Sequence, residues 1–201
     1  MRVRRVEGAG GVGLRVADHG PEDAPALLLL HGWSQHSLSW SKQTAGPLAE
    51  RFRLVAPDLR GHGASDKPED PAAYDNPAPW AGDVAAIIAA LGLARPLLVG
   101  WSMGGWVAMD YLRVHGDDAI AGLVLIGSTA RSGGVGAGAP RAKRRPEVRA
   151  EGMYSDDHRV ALEATIAFVK ACFAAPLSKH DLAFMVGFNM LTPPHVRAPA
   201  R

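Results

Sequence analysis

The chain has 201 residues, 47% hydrophobic and 21% charged, with a formal net charge of +2, which predicts one soluble globular domain with a real core. The charge is too near neutral to predict binding to nucleic acid or an anionic membrane surface. The longest apolar run, residues 84–94, is far short of the roughly 20 residues a spanning helix needs.

Cys172 is the only cysteine, so no intrachain disulfide can form. No apolar stretch follows the charged N-terminus to act as a secretory signal, and the expected location is cytoplasmic. In chain order, residues 2–6 and 13–17 read as two strands around a glycine turn. "ALLLLHG" (26–32), "RLVAPD" (53–58), "PLLVGW" (96–101) and "AGLVLIG" (121–127) are short apolar runs without polar alternation. That is the pattern of strands buried on both faces of a parallel sheet. Helical patterns occupy 40–51, 80–91 and 103–115, with Asn76 and Pro77 as a start signal for the second. Strands alternating with helices predict a doubly wound, mostly parallel α/β sheet whose ligands sit beyond the strand C-termini.

After Ser128 the rhythm changes. Residues 131–149 are rich in Gly, Ala and Arg without a period and read as a loop, with Arg141, Lys143, Arg144 and Arg145 forming a solvated face. Two amphipathic segments follow, 157–174 and 178–190. Phe168, Val169, Cys172 and Phe173 share one helical face, and Leu182, Met185, Val186 and Asn189 share another. The expected division is a core over 1–127, a loop and helical cap over 128–194, and the start of a further core strand over 195–201.

The stretch "LLVGWSMGGW" carries the chemistry. Ser102 follows a buried strand and precedes a helix, with Gly100, Gly104 and Gly105 around it. A serine on so sharp a turn needs neighbours without side chains, and the turn leaves its hydroxyl at the C-terminal edge of the sheet. "LLLLHGW" ends another strand with His31, Gly32 and Trp33, where a donor facing the nucleophile is expected. The backbone N–H groups of Trp33 and Met103 would bind an oxyanion, with His31 and Gly32 supporting that loop and the start of the following helix adding favourable potential.

With "HGW", "APDLRGHGASDKP" (56–68) and "VGWSMGGWVA" in order, the sequence resembles the α/β-hydrolases of the esterase and cofactor-free haloperoxidase type. The resemblance covers residues 2 to about 127. It implies an α/β-hydrolase fold with a helical cap, and acyl transfer from a small-molecule ester to water through an acyl-Ser102 intermediate, with no cofactor. Peroxide as acceptor would give perhydrolase activity from the same intermediate. Epoxide hydrolases and haloalkane dehalogenases share the first two motifs but use aspartate as nucleophile, and the serine at 102 argues against both.

In that family the order is serine, then Asp or Glu, then histidine. The strand preceding the acid is expected near 195–201, where the chain stops just past Pro199, so the triad is expected to be incomplete and the chain weakly active as given. The end of the preceding strand reads "LIGSTA", with Ser128 and Thr129 and no carboxylate. His62 is expected to pack the loop after the fourth strand, and His195 to begin a strand. A catalytically silent fragment or a binding scaffold is the alternative. "GAGGVG" (8–13) matches a dinucleotide fingerprint only formally, because strand rather than helix follows it, and reads as a hairpin turn. Cys172 and Trp101 read as core, Trp33 as a possible pocket wall, and no spacing suggests a metal site.

Overall fold

A computed structural model of the protein describes residues 1–128 and 150–198. In chain order it runs through β1 (Arg2–Glu7), β2 (Gly13–His19), β3 (Ala26–Leu30), α1 (Ser41–Thr44), α2 (Leu48–Arg51), β4 (Arg53–Pro57), α3 (Pro77–Ala90), β5 (Leu97–Trp101), α4 (Met103–His115) and β6 (Gly122–Ile126). The helices α5 (His158–Ala171), α6 (Lys179–Asn189) and α7 (Pro194–Arg197) follow. The basic cluster and Thr129 lie outside the described residues, as does everything after Ala198. Among the described residues no helix is long and apolar enough to cross a membrane.

The six strands form one sheet in the order β1-β2-β4-β3-β5-β6. The pairs β1–β2 and β2–β4 are antiparallel, whereas β3 pairs β4 and β5 in parallel and β5 pairs β6 in parallel. The α/β class follows, with the β1–β2 hairpin at one edge and the parallel strands running from β4 out to β6.

Alternate residues of these strands face opposite sides of the sheet, and apart from Arg53 at the start of β4 the parallel strands carry no charged residue. Leu28, Leu30 and Leu98 point into one buried cluster, with Val84, Ile87, Val107 and Tyr111 of α3 and α4. Leu29, Val99 and Leu54 point into a second, with Trp40 and, partly buried, Trp101. Both faces are covered at β3, β4 and β5, where an unpaired polar residue would lose water without replacement. By contrast β6, expected to be buried on both faces, is the outer strand, with Val124, Leu125 and Ile126 exposed.

Helix starts are capped as their sequences demand. Asn76 Oδ1 accepts from Ala78 N–H at 2.9 Å ahead of α3, Asp157 Oδ1 from Arg159 N–H at 2.9 Å ahead of α5, and Ser178 Oγ from Asp181 N–H at 3.0 Å ahead of α6. Each satisfies one of the donors a helix start leaves free.

Two expectations need correction. The helix expected over 40–51 is two short helices, because Pro47 has no N–H to continue α1 and a Cβ at Gly46 would lie 2.7 Å from Lys42 O. The strand expected to begin near His195 is the helical turn α7. Pro193 and Pro194 preset its backbone, with proline at the first helical position. Val196 is fully buried, against Tyr74 and the close-packed Gly61 of the loop after β4, while His195 is exposed. Arg197, next to Val196, is buried as well, and burial of two consecutive residues fits a helical turn rather than a strand whose side chains alternate between faces.

Candidate active site

Because β3 and β5 are parallel neighbours with Leu30 opposite Gly100, the residues leaving their C-terminal ends are brought side by side. These are His31, Gly32 and Trp33 on one strand and Trp101 and Ser102 on the other. The sheet changes direction of growth here, β4 lying to one side of β3 and β5 to the other, and such a point opens a crevice beyond the strand ends.

Ser102 has φ 53° and ψ −118°, one of three positive-φ residues other than glycine among the described residues. Such a backbone costs of order 1–3 kcal/mol and persists only where its surroundings enforce it. Three contacts do so. Ser102 N–H donates to Ile126 O of β6 at 2.9 Å, Gly105 N–H donates to Ser102 O at 2.9 Å, and Ser128 Oγ donates to the same carbonyl at 2.9 Å.

The glycines are explained one by one. A Cβ at Gly100 would lie 2.5 Å from Gly105 Cα, one at Gly104 would fall on Leu30 O, and one at Gly105 would fall on Ser128 Oγ. A Cβ at Gly32 would lie 3.4 Å from Ser102 Cβ, so this glycine lets the end of β3 approach the serine.

Ser102 occupies the N-cap position of α4, and serine is among the best N-caps, yet its side chain makes no capping bond. Among the described residues no side chain hydrogen-bonds its Oγ. Its hydroxyl instead lines a cavity of about 250 Å³ together with Gly32, Trp33, Gln35, Trp101, Phe168 and Cys172. Two backbone donors nearby are also unspent: neither Trp33 N–H nor Met103 N–H, the first of α4, donates to any described residue.

The loop after β3 is held by histidines whose nitrogens are fully used. His31 is buried, accepts from Leu59 N–H through Nε2 at 3.0 Å and so donates from Nδ1 to Gly32 O at 2.8 Å. His62 accepts from Ser34 N–H through Nε2 at 3.2 Å and donates from Nδ1 to Arg60 O at 2.8 Å. Their rings meet edge to face at 5.0 Å. Burial pushes both down to about 3, so both are neutral at ordinary pH. His36 Nδ1 accepts from Leu38 N–H at 3.0 Å, and burial lowers its pKa as well. All eight histidines of the chain lie among the described residues, and none hydrogen-bonds Ser102.

Trp33 also carries weight through its ring. Its Nε1–H donates to Arg197 O of α7 at 3.0 Å, and the indole meets the edges of Tyr154 at 6.0 Å and Phe168 at 5.4 Å. The helices after β6 therefore close over the same strand ends that carry Ser102.

Trp101 and Cys172, expected in the core, both line the cavity and are half-buried. Trp101, the last residue of β5, packs partly against the second core cluster and partly faces the cavity, and Cys172 lies just past the last turn of α5. Gln35 and Ser128 escaped the sequence reading. For Gln35 the available signal was its place two residues after "HGW". Among the described residues no group of His, Cys, Asp and Glu could hold a metal ion.

Residues 25–185 match a family model described as alpha/beta hydrolase fold, and the chain belongs to that family. Among its relatives, a bifunctional esterase/perhydrolase of Acinetobacter calcoaceticus is 40% identical over 116 residues, 58% of this chain and 41% of that protein. A non-heme chloroperoxidase of Streptomyces lividans is 33% identical over the same length, again 58% of this chain and 41% of that protein. The crystal structure of an esterase from Rhodococcus sp. ECU1013 superposes with a TM-score of 0.83 at 39% identity, covering 100% of this chain and 72% of that one. The matched region thus spans well under half the length of these curated relatives.

Proposed function

We propose that Ser102 is the nucleophile of a hydrolase acting on esters or related acyl bonds. The observation that carries the proposal is the free hydroxyl of Ser102, held on a positive-φ turn in a cavity, at a position where serine ordinarily spends its oxygen on the helix. The esterase relatives support the ester class.

In this reading Ser102 Oγ attacks the ester carbonyl carbon and loses its proton to water. The carbonyl oxygen becomes an oxyanion that accepts from Trp33 N–H and Met103 N–H, each worth about 3 kcal/mol of transition-state stabilisation. Collapse expels the alcohol and leaves an acyl-Ser102 ester, which water hydrolyses. His31 and Gly32 hold the loop that presents Trp33, and Gly100, Gly104 and Gly105 allow the turn. Residues 150–198 act as a cap that walls the substrate cavity over the core.

No histidine bonds Ser102, and both nitrogens of His31 and His62 are occupied, so these residues supply no general base. We therefore expect serine-dependent but slow turnover, well below the ~10 per second of a median enzyme. An oxyanion hole alone can retain ~10³-fold over water. In the family's chain order an acid and a histidine would enter downstream of β6 in any longer protein. That no described residue offers Ser102 a base favours one second reading, a silent binding scaffold.

Hydrolysis of p-nitrophenyl acetate by the chain and its Ser102→Ala variant separates the two. A rate above that of the variant supports the hydrolase, and equal rates support the scaffold.

A further inference from the structure

A second cavity adjoins the one at Ser102. Of about 260 Å³, it has walls that are mainly apolar, among them Trp40, Ile126, Met185 and Phe188. Gln35, Trp101 and Cys172 line both, so these three residues stand where the two would join, at a neck. Small-molecule sites usually measure ~300–1,000 Å³. Each cavity alone falls below that range, and the two joined fall within it.

Gln35 gives the neck a chemical preference. Gln35 is buried, with 5% of the residue exposed. Its Oε1 accepts from Ser39 Oγ at 3.1 Å and from Asn189 Nδ2 at 3.5 Å. The Asn189 amide is itself oriented by its bond to Met185 O at 2.8 Å, which fixes which end of Gln35 faces it. The other end, Nε2, donates to no described residue. A hydrocarbon crossing the neck would strip water from this donor and return nothing, and an unsatisfied donor is costly.

We propose that the two cavities form one substrate site and that Gln35 selects an ester whose extended apolar substituent carries an acceptor oxygen, ether or ketone, where it crosses the neck. The proposal rests on the reading of Ser102 as an ester-cleaving nucleophile, and its test does not.

Cys172 is the only cysteine in the chain, so its alkylation by N-ethylmaleimide, followed by intact mass, reports on the neck alone. Burial pushes the thiol up to about 11, which keeps labelling slow enough to time. The experiment uses the Ser102→Ala chain with non-hydrolysable amides: acetamide, octanamide, and octanamides in which one methylene at a time is replaced by an ether oxygen. Octanamide is expected to slow labelling where acetamide does not. One ether isomer is expected to protect at about fivefold lower concentration than octanamide, the weight of one hydrogen bond. That advantage should vanish in Gln35→Met and in Gln35→Glu, the latter keeping the acceptor toward Ser39 and Asn189 while removing the donor.

Octanamide protecting no better than acetamide, a thiol that cannot be labelled in the ligand-free folded chain, or no ether isomer surpassing octanamide would each overturn the proposal. So would an ether advantage that survives both substitutions. Because Ser102 is absent throughout, such a failure leaves the hydrolase reading standing. Success here, together with no serine-dependent ester hydrolysis, would leave the site and remove the chemistry.

Discussion

At the β1–β2 side of the sheet, the buried carboxylates are paired with arginines, whereas at the C-terminal ends of β3 and β5 several donors are left open. Asp18 is buried between Arg2 at 2.8 Å and Arg53 at 3.0 Å. Burial alone would raise its carboxyl, but hydrogen bonds from those arginines and their charges outweigh it and hold it below the usual range. Arg60 and Asp83 form a buried two-pronged pair at 2.7 Å, and Arg60 also donates to Ala9 O, Ala73 O and Pro79 O. Arg5 pairs Asp66. Across the sheet, Ser102 Oγ, the N–H groups of Trp33 and Met103, and Gln35 Nε2 have no protein partner among the described residues. The contrast separates polar groups that hold the fold from polar groups kept available for a ligand. Groups of the first kind should matter to stability, and groups of the second kind to chemistry.

The largest stability effect should come from opening the paired side. Asp83→Ala leaves the Arg60 guanidinium buried without its carboxylate, and breaking a buried pair in this way costs about 3–5 kcal/mol. Urea unfolding should show it. A loss under 1 kcal/mol would mean that Arg60 is held by its carbonyl partners alone.

Acid should act next. His31 and His62 take up protons in the unfolded chain below about 6.5 but refuse them in the folded one until about 3. Stability is therefore full above 6.5 and falls as pH drops through that window. Each ring contributes about 1.4 kcal/mol per pH unit. Unfolding free energies from urea titrations at pH 7 and pH 5 should differ by about 2 kcal/mol for each ring, and His62→Gln should reduce the difference.

Smaller effects should follow at the open side. Gly104→Ala drives a methyl onto Leu30 O, an overpacking expected to cost about 1–3 kcal/mol and to displace Ser102 from its turn. Ser128→Ala removes one hydrogen bond to the elbow carbonyl, a loss of about 1 kcal/mol. If Gly104→Ala lowers serine-dependent hydrolysis no more than Ser128→Ala does, the close approach of α4 to β3 is not what sets the turn.

The sequence exposes these regions unequally. The turn at Ser102 is legible because each glycine answers a collision within a few residues of chain or with the adjacent strand. The apolar runs of β3, β4 and β5 likewise announce strands covered on both faces. The cavities are not legible, since they arise where α5 and α6 meet the ends of β3 and β5, contacts that no local period encodes. Gln35 looks like any loop glutamine until Asn189, far along the chain, fixes its orientation. The break between α1 and α2 was written in Gly46 and Pro47 but masked by the helical pattern around them. The α7 turn was masked by the expectation of a strand.

The direct test of Ser102 as nucleophile is the position of a trapped acyl group. The chain is incubated with p-nitrophenyl acetate, quenched in acid and digested, and the peptides are sequenced by mass spectrometry. The account predicts a single acetyl ester on Ser102, missing from the Ser102→Ala variant. Acetylation confined to other residues, and unchanged by Ser102→Ala, would contradict it.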